Sequence, residues 1–139
     1  MALFRRPAPT VNLEEESLAD KDLQNRDLRN ARAPWAHLMD INLSGANLAL
    51  ANLRYANLTK VKLNGANLEG ADLRHANLQG ADLTGANLKS ANLREATVTD
   101  EQLAQAANLQ GATFPDGMRA GPKILAAFYR LHLRSPQEE

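Results

Sequence analysis

The chain has 139 residues, a length that suits one domain. Sixteen acidic residues balance sixteen basic ones, so no whole-chain field draws in nucleic acid. Cysteine is absent, which excludes disulfides and thiolate metal sites, and no apolar run is long enough for a signal peptide or a membrane span. The expected location is therefore the cytoplasm. Aromatics make up only 4% of the chain while Leu, Ala and Asn dominate, which points to a repetitive chain rather than an ordinary mixed core.

Residues 1–10 read as an N-terminal arm, either disordered or laying Leu3 and Phe4 over the near end of the repeat region. From residue 11 to residue 100 one period governs everything. Leucine stands at 13, 18, 23 and 28, then at every fifth position from Leu38 to Leu93, with only Ala33 and Val98 interrupting the series. Two residues before each central position the chain is mostly Ala, with Val11, Ile41 and Val61 as larger versions; Asn or Asp lies between in most units. Eighteen units keep this register without a break.

A period of five suits neither a helix at 3.6 nor a long strand at 2. Within a unit, two apolar positions two residues apart make a very short strand with one inward face. A corner then comes next. Four units close a square turn of twenty residues, and successive turns stack at about 4.8 Å, giving a solenoid of about 4.5 coils in an all-β class. Gly45, Gly65, Gly70, Gly80 and Gly85 all fall two residues after a central Leu, where a corner needs φ > 0. The bulky residues Trp35, Tyr55, His75 and Glu95 occupy another corner and are expected to keep φ < 0, unlike the glycine corner at 45, 65 and 85. The first turn reads as an end, because Glu16, Lys21 and Arg26 replace its small inward residues.

After Val98 the register stops. Thr99-Asp-Glu-Gln102 is a capping-box pattern that opens a helix of one to two turns inside a segment spanning 101–121. The repeat returns one residue out of phase at Ala107-Asn108-Leu109 and Ala112-Thr113-Phe114, and Pro115-Asp-Gly117 turns the chain. Pro122 opens a second helix running to about Arg134 within a final segment, 122–139. Ile124, Leu125, Phe128, Tyr129 and Leu131 share a broad apolar face on it. That face is a lid on the solenoid, a homodimer contact or a membrane-surface helix; its short length and few cations disfavour the last.

The unit A-(N/D)-L-x-x resembles the pentapeptide-repeat family over about two thirds of the chain. The resemblance implies a right-handed quadrilateral β-helix; the short C-terminal helices read as its cap from their own sequence. It also implies members that act through their surfaces, several of them dimeric through C-terminal elements. Some members resemble duplex DNA in shape and charge and protect DNA gyrase from inhibitors.

Residues twenty apart should stack in columns. Arg54, Arg74 and Arg94 form one column; Trp35, Tyr55, His75 and Glu95 form the next. Arginine and aromatics are the side chains enriched where partners bind, so these two columns are the candidate interaction strip. A bland reading competes: each Arg can rest on a neighbouring ring or on Asp72 and Glu95. No catalytic constellation appears. His37, His75 and His132 lack metal-ligand spacing, the glycines are corners rather than a phosphate loop, and no cofactor is implied. The leading expectation is a non-catalytic interaction or scaffold protein with an unidentified protein partner. A DNA-mimicking gyrase protector comes second, because mimicry needs a dense negative surface. Nucleic-acid or anion binding along the strip comes third, since a neutral chain argues against DNA or RNA partners.

Overall fold

Every five-residue unit carries five backbone N–H groups, and each needs an acceptor. The computed structural model describes residues 11–13 and 22–132, and the unit centred on Leu68 shows how all five are met. In the unit centred on Leu68, Ala66 donates back across the corner to Leu63 O, and Asn67 donates to Ala46 O in the preceding coil. Leu68 and Gly70 donate to Asn87 O and Lys89 O in the following coil. That leaves the N–H of Glu69, which donates to the Asn67 side chain at 3.1 Å. The same short bond recurs at Asn47, Asn52, Asn57, Asp72, Asn77, Asp82, Asn87 and Asn92. This is why the repeat favours Asn or Asp before Leu, although His37 and Lys62 also hold the place: the side chain takes up the one donor that the ladder leaves over. Where Arg32 stands in that place, the residue with the spare donor is Pro34, which has no N–H to satisfy.

The coils are joined by single-residue parallel bridges at a spacing of twenty, such as Asn47↔Asn67 and Asn67↔Asn87. Every corner is bent the same way. Its second residue has positive φ and its last N–H bonds back three residues, the pattern of a type II turn. Gly45, Gly65 and Gly85 lie at φ 67–70°, but Trp35, Tyr55, His75 and Glu95 lie at 59–62°. The expected negative φ at the aromatic corner is therefore wrong. Four equivalent bends are needed to close the square, and ladder bonds such as Tyr55 N–H to Arg74 O hold the backbone there whatever the side chain.

Twelve leucines from Leu38 to Leu93 are fully buried, with the Ala column beside them. Each contributes about 1.5–3 kcal/mol. Among the described residues no polar or charged residue is buried, so the interior is a dry apolar stack. Arg26, in a small-residue position of the first turn, is exposed; Leu3, Phe4, Glu16 and Lys21 lie outside the described residues.

The stack ends in a helix, α1 (Asp100–Ala104), opened by the expected capping box between Thr99 and Gln102. The Gln102 amide also donates to Leu78 O and Ala81 O, at 2.8 and 2.9 Å, in place of a further backbone rung. Leu103 still plugs the interior at 0% exposure. The ladder then resumes one residue late, at Asn87↔Asn108 and Asn92↔Thr113. Ala107 regains the ladder bond to Ala86 O, yet it is exposed, and Ala106 takes the buried place. The cap of α1 at Gln105 turns the preceding residue inward instead. Beyond the turn at 115–117 the chain doubles back, and Thr113↔Arg119 closes the last coil with an antiparallel bridge.

The second helix, α2 (Pro122–His132), lies against this end. Phe128 is buried, its ring centroid 5.3 Å from that of Phe114, and Ile124, Leu125 and Tyr129 pack half-buried on the core. Leu131 departs from the shared face at 75% exposure. His132 takes the place against Phe128, at 4.6 Å between rings, with Nε2 3.4 Å from Asp100 Oδ2. Residues 133 and 134, expected to extend this helix, lie outside the described residues. Among the described residues no helix is long and apolar enough to cross a membrane.

Candidate functional site

The square coil places identical positions above one another, so the strip is a direct product of the period. Trp35, Tyr55 and His75 stack as parallel plates: centroids 4.2 Å apart at 3° for the first pair, 4.6 Å at 2° for the second. Glu95 holds the next corner position. Trp35 is 66% exposed, so an apolar ring faces solvent at the head of the column. These residues occupy a left-handed backbone that disfavours large side chains by about 1–2 kcal/mol each. Ring stacking, worth about 0.5–1.5 kcal/mol per pair, offsets part of that.

The neighbouring arginines are not equivalent. Arg74 grips Asp72 with two bonds, Nε to Oδ1 at 2.9 Å and Nη2 to Oδ2 at 2.7 Å. Partial burial alone would raise the Asp72 carboxyl, but hydrogen bonds from the Arg74 side chain and amide, with the charges of Arg74 and Arg54, hold it below the usual carboxylate range. Arg54 reaches Asp72 only at 4.0 Å and rests its guanidinium 5.8 Å from the Tyr55 centroid. Its Nε is shielded from solvent and has no hydrogen-bond partner. Arg94 lies against Gly117 at the far end of the column. A recess of about 350 Å³ opens beside Arg54, walled by Pro34, Trp35, Asn52 and Tyr55.

The six strip residues named from spacing thus come together on one face. Counting by twenty puts Pro34 at the head of the Arg column; the wall residue it misses is Asn52, whose signal is adjacency to Arg54. The C-terminal set is brought to one end of the solenoid, save that Leu131 points away from the core. A second, apolar recess of about 400 Å³ lies there, lined by Val98, Phe114, Met118, Ile124, Phe128 and Leu131 among others. Among the described residues no group of three or more His, Asp or Glu could hold a metal ion.

A family model described as pentapeptide repeats matches residues 35–70 and 66–100, in eight copies. Among solved structures, the pentapeptide repeat protein Rfr23 of the cyanobacterium Cyanothece 51142 is 31% identical; the alignment covers 76% of this chain and 85% of that one, with a TM-score of 0.59. HetL of Nostoc sp. strain PCC 7120, described as involved in heterocyst differentiation regulation, is 30% identical over 78% of this chain and 60% of its own, with a TM-score of 0.30. QnrB1, described as a plasmid-mediated fluoroquinolone resistance protein, is 23% identical over 66% and 47%, with a TM-score of 0.34. No curated protein sequence matches.

Proposed function

Because this chain belongs to the pentapeptide-repeat family and shares its right-handed quadrilateral β-helix, we propose that it is a non-catalytic interaction protein whose contact surface is the strip formed by Trp35, Arg54, Tyr55, Arg74, His75 and Arg94. The observation that carries this reading is the plate stack of Trp35, Tyr55 and His75, held in a backbone conformation where glycine would be less strained. Leu50 and Lys60 share that strained backbone on other faces, so what sets this face apart is the run of stacked rings beside a column of arginines. The strip is also flat and rigid, because each rung is tied to the ladder, so binding would order little. Among the described residues no group of three or more His, Asp or Glu gathers to hold a metal, and the imidazole of His75 serves as a plate in the stack.

The face can be tested by recovering partners from cells of the native organism. The combined reversal Arg54→Glu, Arg74→Glu and Arg94→Glu should abolish recovery, while Lys60→Glu with Lys62→Glu, on other columns, should not. Equal recovery by the parent and both variants would refute the strip.

In this reading α2 serves as the lid, since Phe128 covers Phe114. The exposed Leu131 and the apolar recess beside it favour a second role for the same end, pairing with another copy. Mimicry of duplex DNA ranks lower. The Arg54, Arg74 and Arg94 column is cationic and other columns mix signs, with Asp40 above Lys60 and Lys62 above Asp82, so the repeat supplies no continuous negative face.

A further inference from the structure

The strip has one unfinished bond. Asp72 spends both carboxylate oxygens on Arg74, and Arg54 is left with a water-shielded Nε and no acceptor. That Nε is closed to solvent and to any partner alike, so the part of Arg54 that an incoming acceptor can reach is the partly exposed remainder of its guanidinium. The recess beside it mixes two chemistries: the Arg54 guanidinium and Asn52 on one wall, Pro34 and the Trp35 and Tyr55 rings on the other.

We infer that this recess receives an acidic residue of a partner protein, an Asp or Glu whose carboxylate bonds Arg54 while an adjoining apolar side chain lies on the Trp35 and Tyr55 rings. The inference rests on the strip being the contact surface and names the chemistry that the surface reads. Planar, forked guanidinium donors match carboxylates, and Arg54 meets its nearest carboxylate, Asp72, only at 4.0 Å. A volume of about 350 Å³ is at the small end for ligand pockets and is open to solvent, which suits a side chain held by a wider interface. Single-stranded nucleic acid fits less well. The plates are closed at 4.2 and 4.6 Å, leaving no slot for a base between them. Asp72 and Glu95 also offset the arginines, which weakens any counterion-release drive.

Trp35 is the only tryptophan, so its fluorescence reports occupancy directly. The test pans a displayed random-peptide library on the full chain, then titrates a selected peptide and its amide isostere against Trp35 emission. Selected peptides should share an Asp or Glu beside an apolar residue. The Gln or Asn isostere should bind about tenfold more weakly or worse, and Arg54→Gln should weaken the acidic peptide by a similar factor. Arg54→Lys, which keeps the charge without the fork, should rescue only part. Circular dichroism melts of both variants check that the ladder is intact. Selection without an acidic residue, no enrichment, or unchanged affinity in Arg54→Gln would overturn the inference. So would an oligonucleotide that quenches Trp35 more tightly than any peptide. If partner recovery still depends on the strip while peptides show no acid requirement, this inference fails alone. If recovery ignores the strip, the reading beneath it fails.

Discussion

Two corners of the same square differ in everything except their backbone. At the glycine corner Gly65 faces open space, Gly85 lies on the Gly65 backbone and Gly45 lies under the Asn25 side chain; the aromatic corner carries Trp35, Tyr55 and His75. Their φ values differ by only a few degrees, 67–70° against 59–62°. The coil therefore sets the bend, and the side chain decides only what the corner costs and what it displays. Interior and exterior are decoupled: four like leucine columns, one behind each face, fill the shared interior, while each face is free to carry its own chemistry.

The largest effect tests that shared interior. Leu63→Lys on the glycine face and Leu73→Lys on the aromatic face each put an unpaired charge into a dry column. Both should lose about 4–5 kcal/mol or more in denaturant unfolding. A clear difference between them would mean that the faces are not supported alike. Exchanging corner residues probes the next level. Gly65→Ala meets no atom within 4 Å, so its loss should be the left-handed strain alone, about 1–2 kcal/mol. Tyr55→Gly releases similar strain but removes two stacked contacts of about 0.5–1.5 kcal/mol each. Its melting temperature should stay near the parent's while partner recovery drops. A large destabilisation would show that the stack supports the fold.

The smallest effect concerns pH. The Asp72 carboxyl is held below its ordinary range in the folded chain, so its contribution is fully present above the unfolded value of about 3.9. It is lost as pH falls through the lower folded value. Asp72→Asn should melt slightly earlier than the parent at pH 6, and the gap should narrow as pH falls through the lowered folded value. A gap that widens on acidification would reverse the assigned sign.

Much of this architecture is legible in the bare sequence. Leucine at every fifth place identifies the inward column because burial depends on period, and period survives without coordinates. The alignment of Trp35, Tyr55 and His75 comes from counting by twenty. The corner angles do not, because positive φ belongs to closure of the square rather than to glycine alone. The Asn and Asp pattern is visible but its reason is hidden: only the bonded ladder reveals that the N–H after each Leu is the one left over. At Ala106 and Ala107 the phase slip can be read, but the inward residue cannot, since a helix cap redirects side chains locally. The solvent-shielded Nε of Arg54 depends on a 4.0 Å gap that no spacing rule encodes.

The uniform ladder also sets a grammar for insertions and deletions. Each bridge in the regular stack joins residues twenty apart, and α1 with the closing Thr113↔Arg119 bridge engages only the last coil. A duplicated block of twenty residues would lengthen the rod by about 4.8 Å and keep every column in line. A block of five would preserve the core equally well but rotate everything downstream by a quarter turn, carrying Arg74 and His75 off the face of Tyr55. Replication errors in this gene are thus sorted by arithmetic. Multiples of twenty change only length, and other multiples of five turn the downstream faces while sparing the core. Any other size needs a local device such as α1, past which the ladder resumes one residue late with Leu103 and Leu109 still buried.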